Sequence, residues 1–389
     1  MSLRHLITSA ILAAFPVSLM AQADGVFDDH VAPERYWVED SSWCGLGVNV
    51  DANFFFKNNE YFAPYIEGYT LIGYQLRPTV GWRIHPKIVL TGGLQAMMYG
   101  GLDNAHYVRP HFAALWKAND WLSVQMGSLP GVASHPAHEA MQDPEGQLTE
   151  NPELGLQLWI SRPKLKGSVW LNWRQFIFIG DTIPERFSAG ASMLFAPTPA
   201  KSGASFEMPF ALIFNHIGGQ ISDYPQKMQS LANVSVAPSL VVRSSSWSFV
   251  QRLALTVHAL GFHTMAGSEV RPFADGYALS PELSLTASYL QAALAFYHAH
   301  NYYAPHGNPL LSSLSNYDDD CYSENRNMLT FSASFVKAIS RVARFSVDAK
   351  GYLDTDDSRL DYSYGMTMVL TPGLARRHAP VRHEYAPSL

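Results

Sequence analysis

The sequence predicts an all-β chain, a transmembrane antiparallel β-barrel of about 16 strands with roughly 14–18 admissible. Three observations carry that reading. Apolar and polar residues alternate with period two along most of the chain. Only 15% of residues are charged while 13% are aromatic, whereas ordinary globular chains are roughly 25% charged. The segments between alternating runs are short and long by turns, as a barrel with short periplasmic turns and long extracellular loops requires.

Taken in order, residues 1–23 read as a secretory signal peptide. Arg4 and His5 give a basic start, Leu6 to Met20 an apolar stretch, and Ala21-Gln22-Ala23 a small-residue cleavage site. That stretch is shorter than the roughly 20 residues a spanning helix needs. Residues 24–42, with Asp28, Asp29, Glu34, Glu39 and Asp40, form an acidic periplasmic lead-in. No later apolar run is long enough to span as a helix. An exported chain of this kind satisfies its backbone in lipid by closing a barrel, expected over residues 43–371. Residues 372–389, with Arg376, Arg377 and Arg382, form a basic periplasmic tail. No second domain and no internal repeat beyond the strand period is expected.

The alternation is clearest where the runs are longest. Ile72, Tyr74, Leu76, Val80 and Trp82 oppose Gly73, Gln75, Arg77, Thr79 and Arg83. Leu154, Leu156, Leu158 and Ile160 oppose Glu153, Gln157 and Ser161. A helix, with its period of 3.6, cannot produce this. Sandwich strands average about five or six residues, whereas several of these runs reach the roughly nine to eleven that cross a bilayer. The predicted spans are 43–57, 66–84, 88–101, 106–117, 121–129, 151–162, 167–180, 185–197, 205–217, 232–243, 246–263, 276–288, 289–303, 326–338, 342–354 and 360–371. Connectors such as His85-Pro86-Lys87, Ala118-Asn119-Asp120 and the turn at Ser288 then fall on the periplasmic side. The long connectors 130–150, 218–231, 264–275 and 304–325 fall on the other.

This register assigns a set of side chains to the lumen: Glu67, Arg77, Arg83, Arg109, His111, Arg174, Glu207, Arg252, Glu282, Arg344, Asp348 and Lys350, with Asn172, His258 and Asp361 beside them. A charged, water-facing interior points to a passive channel for small polar solutes. The other reading is a closed barrel serving as a structural or assembly partner, whose interior charges pair and fill it. Expected partners are outer-membrane lipid and lipopolysaccharide, small solutes, and a homo-oligomer or another outer-membrane protein. The net charge of −6 says little about partners, and no basic cluster points to nucleic acid, which is not expected as a partner.

The sequence offers no G-x-S-x-G, no Walker motif and no joined Ser/His/Asp set, so no catalytic residue, cofactor or metal is expected and the chain reads as a non-enzyme. An enzyme acting on lipid would place Ser and His at the lipid rim. His135 and His138 read as a surface loop without metal-ligand spacing. Asp318-Asp319-Asp320 and Asp354, Asp356 and Asp357 read as solvated loop faces. Trp82, Trp116, Trp121, Trp159, Trp170, Trp173, Tyr302 and Tyr303, near strand ends, read as the interfacial aromatic girdle. Cys44 at the periplasmic end and Cys321 in an extracellular loop are expected not to pair.

Asn59-Glu60-Tyr61 through Gly81, Asn151-Pro152-Glu153-Leu154-Gly155-Leu156-Gln157, Trp170 to Gly180 and His216-Ile217-Gly218-Gly219-Gln220 resemble porin-type outer-membrane proteins of the Bacteroidota. The resemblance implies a Gram-negative outer-membrane barrel, a diffusion channel or an assembly accessory, and brings no catalytic residues. Asp181-Thr182-Ile183 is similar to the short O-glycosylation signal of that phylum. One departure stands out: such barrels end on an aromatic terminal strand, whereas here the last strand ends near Leu370 and a basic tail follows.

Overall fold

In lipid a strand can leave no backbone N–H or C=O unpaired, so the alternating runs must close on themselves. The computed structural model describes residues 45–198, 203–219, 221, 223–244, 250–316, 318, 320–340 and 342–375. The signal peptide, the acidic lead-in, Cys44 and the tail from residue 376 lie outside the described residues. Within them, β1 (Gly45–Glu60) pairs with β2 (Tyr69–His85) on one side and β17 (Arg359–Leu370) on the other. That pairing closes the barrel.

From β2 the sheet proceeds through nearest-neighbour antiparallel hairpins. These are β3 (Ile88–Tyr99), β4 (Tyr107–Lys117), β5 (Leu122–Ser128), β6 (Leu154–Arg162), β7 (Leu165–Gln175), β8 (Glu185–Phe195) and β9 (Gly203–Gly218). Two strand segments, β10 (Gln229–Val236) and β11 (Ser239–Arg243), share one place between β9 and β12 (Val250–Ala266). Pro238 sits at their junction, where a missing N–H interrupts the ladder. β13 (Asp275–Ala287), β14 (Leu290–His300), β15 (Asn325–Ser340) and β16 (Ala343–Asp354) complete the wall. Past Pro372, β18 (Gly373–Ala375) resumes the path of β17 along β1. Eighteen segments therefore make a 16-stranded barrel.

The sequence-predicted spans match these strands closely, with differences at a few ends, one of them the start of β10 at Gln229 instead of 232. The last strand does not stop at Leu370, because Val50 N–H donates to Pro372 O at 3.1 Å and β18 continues the pairing. β7 ends at Gln175, since Phe176 to Ile179 leave the ladder. Glu67 is not a lumen residue: it lies exposed in the β1–β2 connector, two positions before β2 begins. The alternation there runs past the last paired residue.

Both ends of the described chain lie at the barrel end with the short turns, which is the periplasmic end of an outer-membrane barrel. The two-residue turn after β13 places Ser288 at φ 33°, the left-handed backbone that tight hairpins need. Outward positions are apolar and bare, with Leu240 64%, Trp82 53% and Leu255 52% exposed. Apolar area on this scale is stable only against lipid. Inward positions along β8 are small, and at Gly190 the Trp170 ring lies where a Cβ would stand, 2.7 Å from that position.

Candidate functional site

The interior was expected to be uniformly polar and is instead built in two halves. Toward the periplasm the expected charges do face inward, and several pair. Arg77 binds Asp51 at 2.8 Å, Lys57 binds Asp348 at 2.7 Å, and Glu207 sits between Arg243 (2.5 Å) and Arg252 (3.4 Å). Thr91 Oγ1 lies 3.3 Å from His111 Nε2, while Arg109 on β4 is open to water. Arg83, Glu282 and Arg344 occupy the same face of their strands, as do Asn172 and Asp361.

Toward the extracellular end, two loops fold into the barrel. The β5–β6 loop carries a 3-10 turn (Val132–Ser134) and one turn of helix, α1 (Gly146–Thr149). The β14–β15 loop carries a 3-10 turn (Pro309–Leu311). They bind one another through Asn308 N–H to Glu139 O (2.8 Å) and Asp143 N–H to His306 O (2.6 Å). Met141, Leu310 and Leu311 pack on the inward Ile213, Leu260, Phe262 and Tyr297. Burying this set drives the loops inward, at roughly 1.5–3 kcal/mol per large side chain.

Polar groups carried in with the loops find partners. Glu139 accepts from Lys350 Nζ, and Glu150 from Arg174 (2.9 Å) and His306 (3.0 Å). Burial would raise the Glu150 carboxyl, but the hydrogen bond and charge of His306, then Arg174, hold it down at about 2. Burial, then the nearby Glu145, push Asp143 up to about 7. His138 stands against His258, ring centroids 4.8 Å apart. Burial, then His258 and Lys350, hold His138 well below its usual range, so it is neutral.

Three surface expectations are therefore corrected. His135, 1% exposed, and His138 are loop residues drawn into the lumen. Asp354 ends β16 inside the wall, bound to Arg326 (3.3 Å) and Arg359 (3.4 Å). Trp159, Trp170 and Tyr302 are buried lumen residues, whereas Trp82, Trp116, Trp121 and Trp173 keep the outward girdle position. Among the described residues no group of His, Cys, Asp and Glu could hold a metal ion.

Among the described residues, two Ser/His pairs come within reach of acyl-transfer chemistry. The first lies in the lumen. His135 Nε2 meets Glu153 Oε2 at 2.7 Å, its ring stacks on Trp170 at 4.1 Å, and Ser134 Oγ lies 3.4 Å from Nδ1. The hydroxyl, however, donates to Gly131 O at 2.7 Å, and Ser134 is 0% exposed. This set pins the loop to the wall. No lipid reaches it.

The second pair is on the outside. Ser230 and His216 face each other across β10 and β9, and Ser230 Oγ lies 2.8 Å from His216 Nδ1. Both belong to the outward series of their strands, above Phe206, Leu212 and Val234, with His216 half-buried and Ser230 8% exposed beneath its neighbours. Phe187 stacks on the His216 ring at 5.0 Å and on Trp173 at 5.2 Å. Stacking fixes the imidazole where a carboxylate would in a triad, since the one hydrogen bond of this ring among the described residues is to Ser230. The β7–β8 and β9–β10 connectors join through Gly180 N–H to Ile221 O (3.0 Å). They form a bare apolar lip beside the pair, with Ile179 87%, Phe178 71% and Phe176 63% exposed. Asp181-Thr182-Ile183 lies in this lip.

The sequence hid this pair because its predicted spans left Ser230 inside a loop. The signal that could have found it is His216, a polar residue closing the apolar outward series of β9.

The barrel resembles solved outer-membrane proteins. OprD of Pseudomonas aeruginosa aligns at TM-score 0.50 and 10% identity, covering 91% of this chain and 98% of that one. A loop L8 deletion mutant of OmpT from Vibrio cholerae aligns at 0.49 and 9%, covering 85% and 99%. OpdK of P. aeruginosa, solved with vanillate, aligns at 0.48 and 9%, covering 87% and 100%. No curated protein matches the sequence. A family model described as Lipid A 3'-O-deacylase-type matches residues 39–376. That match overturns the expectation of a non-enzyme, because the family is named for ester hydrolysis.

Proposed function

Because the chain belongs to the lipid A 3'-O-deacylase-type family, we propose that it hydrolyses an acyl ester of an outer-leaflet glycolipid of the lipid A class. Ser230 is the nucleophile and His216 its base. The observation that carries this reading is the 2.8 Å contact between them on the lipid-facing side of an outer-membrane barrel. With Nδ1 accepting from Ser230, the neutral ring carries its proton on Nε2.

The chemistry runs in two halves. As Ser230 Oγ attacks the ester carbonyl, its proton passes to His216 Nδ1. The tetrahedral adduct collapses, the sugar oxygen leaves, and it takes that proton back. Water repeats the exchange on the acyl-serine, releasing the fatty acid and restoring both side chains. The apolar lip receives the acyl chain, and Phe187 holds the imidazole in line.

The filled extracellular half of the lumen supports a closed barrel over a passive channel for small polar solutes; the water-facing charges of the other half are what favour a channel. Mass spectrometry of lipid A, incubated with purified protein in vesicles, tests the enzyme reading. The wild type is expected to remove an acyl chain and Ser230→Ala to leave the lipid intact. Equal deacylation by a folded Ser230→Ala protein would overturn the assignment.

A further inference from the structure

Beyond Ser230, around the same rim, four consecutive strands change character at the same end. Outward residues pass from Val257 to His263 on β12, and from Leu279 to Tyr277 and Asp275 on β13. They pass from Phe296 to His298 and His300 on β14, and from Leu329 to Asn327 and Asn325 on β15. Any barrel turns polar where it leaves the bilayer, usually with solvated Lys, Arg and acids. Here the polar residues are cross-linked side chains around one ring.

Tyr277, 47% exposed, stands between His298 and His300, at ring distances of 6.2 Å and 5.6 Å. Each imidazole is held by the amide opposite: His298 Nδ1 donates to Asn327 Oδ1 at 2.7 Å, His300 Nδ1 to Asn325 Oδ1 at 3.0 Å. These bonds commit the rings to one tautomer and turn Nε2 into an acceptor, which in His300 also lies 3.4 Å from Asn301 Nδ2. Asn327 Nδ2 is shared with Asp356 at 3.2 Å, and His263 with Asp275. The result is a flat aromatic face ringed by oriented acceptors and amide donors.

We propose that this face, centred on Tyr277, is a docking site for the sugar headgroup of an outer-leaflet glycolipid. The inference rests on the deacylase reading only for the substrate's class. A position at the top of the apolar series meets lipid headgroups, and the ring and amides suit a pyranose, whose CH face stacks and whose hydroxyls both donate and accept. Phosphate is the weaker match. None of these side chains is Lys or Arg, while Asp275, Glu324 and Asp356 border the patch and repel an anion.

Native mass spectrometry of the delipidated barrel, titrated separately with a bis-phosphorylated lipid A, its dephosphorylated form and phosphatidylglycerol, tests the site. Both glycolipids are expected to bind alike and phosphatidylglycerol weakly. Tyr277→Leu keeps an apolar side chain at a lipid-facing position and so preserves the fold. It should cost about tenfold in glycolipid affinity, the order expected for losing one stacked ring and its oriented neighbours. Asn327→Ala should act in the same direction. Binding that requires phosphate, competes equally with phosphatidylglycerol, or survives both substitutions would overturn the proposal, as would cross-linking of a second copy through this face. Headgroup binding without deacylation would refute Ser230 and leave the platform standing.

Discussion

Among the described residues two Ser/His pairs come into contact, and their difference separates contact from capability. Ser134 and His135 have the fuller complement, with Glu153 on the far nitrogen at 2.7 Å and Trp170 beneath the ring. Among the described residues, Ser230 and His216 have each other and a Phe187 stacked on the imidazole. Yet the inner hydroxyl, inside the lumen, donates to a backbone carbonyl, while the outer one, 8% exposed, lies 2.8 Å from its imidazole on the lipid-facing side of the wall. A carboxylate neighbour thus marks a structural clamp in one place, and its absence does not disqualify the other. The face of the wall on which each pair stands decides.

The largest test of that contrast is a pair of substitutions. His216→Asn should lower deacylation roughly a thousandfold, whereas Ser134→Ala should leave it within about twofold, read by released fatty acid. Stability should show the reverse. His135→Ala strands the buried Glu153 and should cost about 3 kcal/mol in urea unfolding from vesicles; His216→Ala, on the outer face, should cost less than about 0.5 kcal/mol. A smaller effect is expected at Phe187, which touches the base and not the substrate. Phe187→Ala should lower kcat about tenfold with KM little changed, and Phe187→Tyr should restore it.

The subtlest prediction concerns pH and the inner loop. Asp143 is raised from 3.8 to about 7, so it stabilises the packed loop below 3.8 and loses that contribution as pH rises through about 7. Glu150, lowered from 4.5 to about 2, contributes above 4.5 and loses it as pH falls through about 2. Hydrogen-exchange protection of residues 139–150 should therefore fall between pH 4.5 and 7. Asp143→Asn should remove that fall; an unchanged slope would break the assignment.

The wall was legible in the sequence because lipid and lumen impose opposite demands on successive residues, as along Ile72 to Arg83. The filled lumen was not, because the β5–β6 and β14–β15 loops carry no period. A hint was present in Leu260, Phe262 and Tyr297, apolar residues on the face that polar ones should have held. Those residues break the rule because they pack against loop residues instead of water. Cross-strand geometry hid the outer pair more completely. Ser230 and His216 meet only once the β9–β10 register is known, and that register depends on where a connector of ordinary loop composition stops.

The short segment after Pro372 has a consequence for how the cylinder is sealed. Gly47, Val48 and Asn49 of β1 face Gly373, Leu374 and Ala375 across the line where the first and last strands meet. Without those three residues, the lower part of β1 would keep its bonds to β2 and present an open edge on the other side. At that depth an unpaired edge has no water to turn to and would recruit the nearest strand it could find. The three residues beyond the proline therefore work as the last teeth of a zip: the closing strand denies the opening one to any other partner.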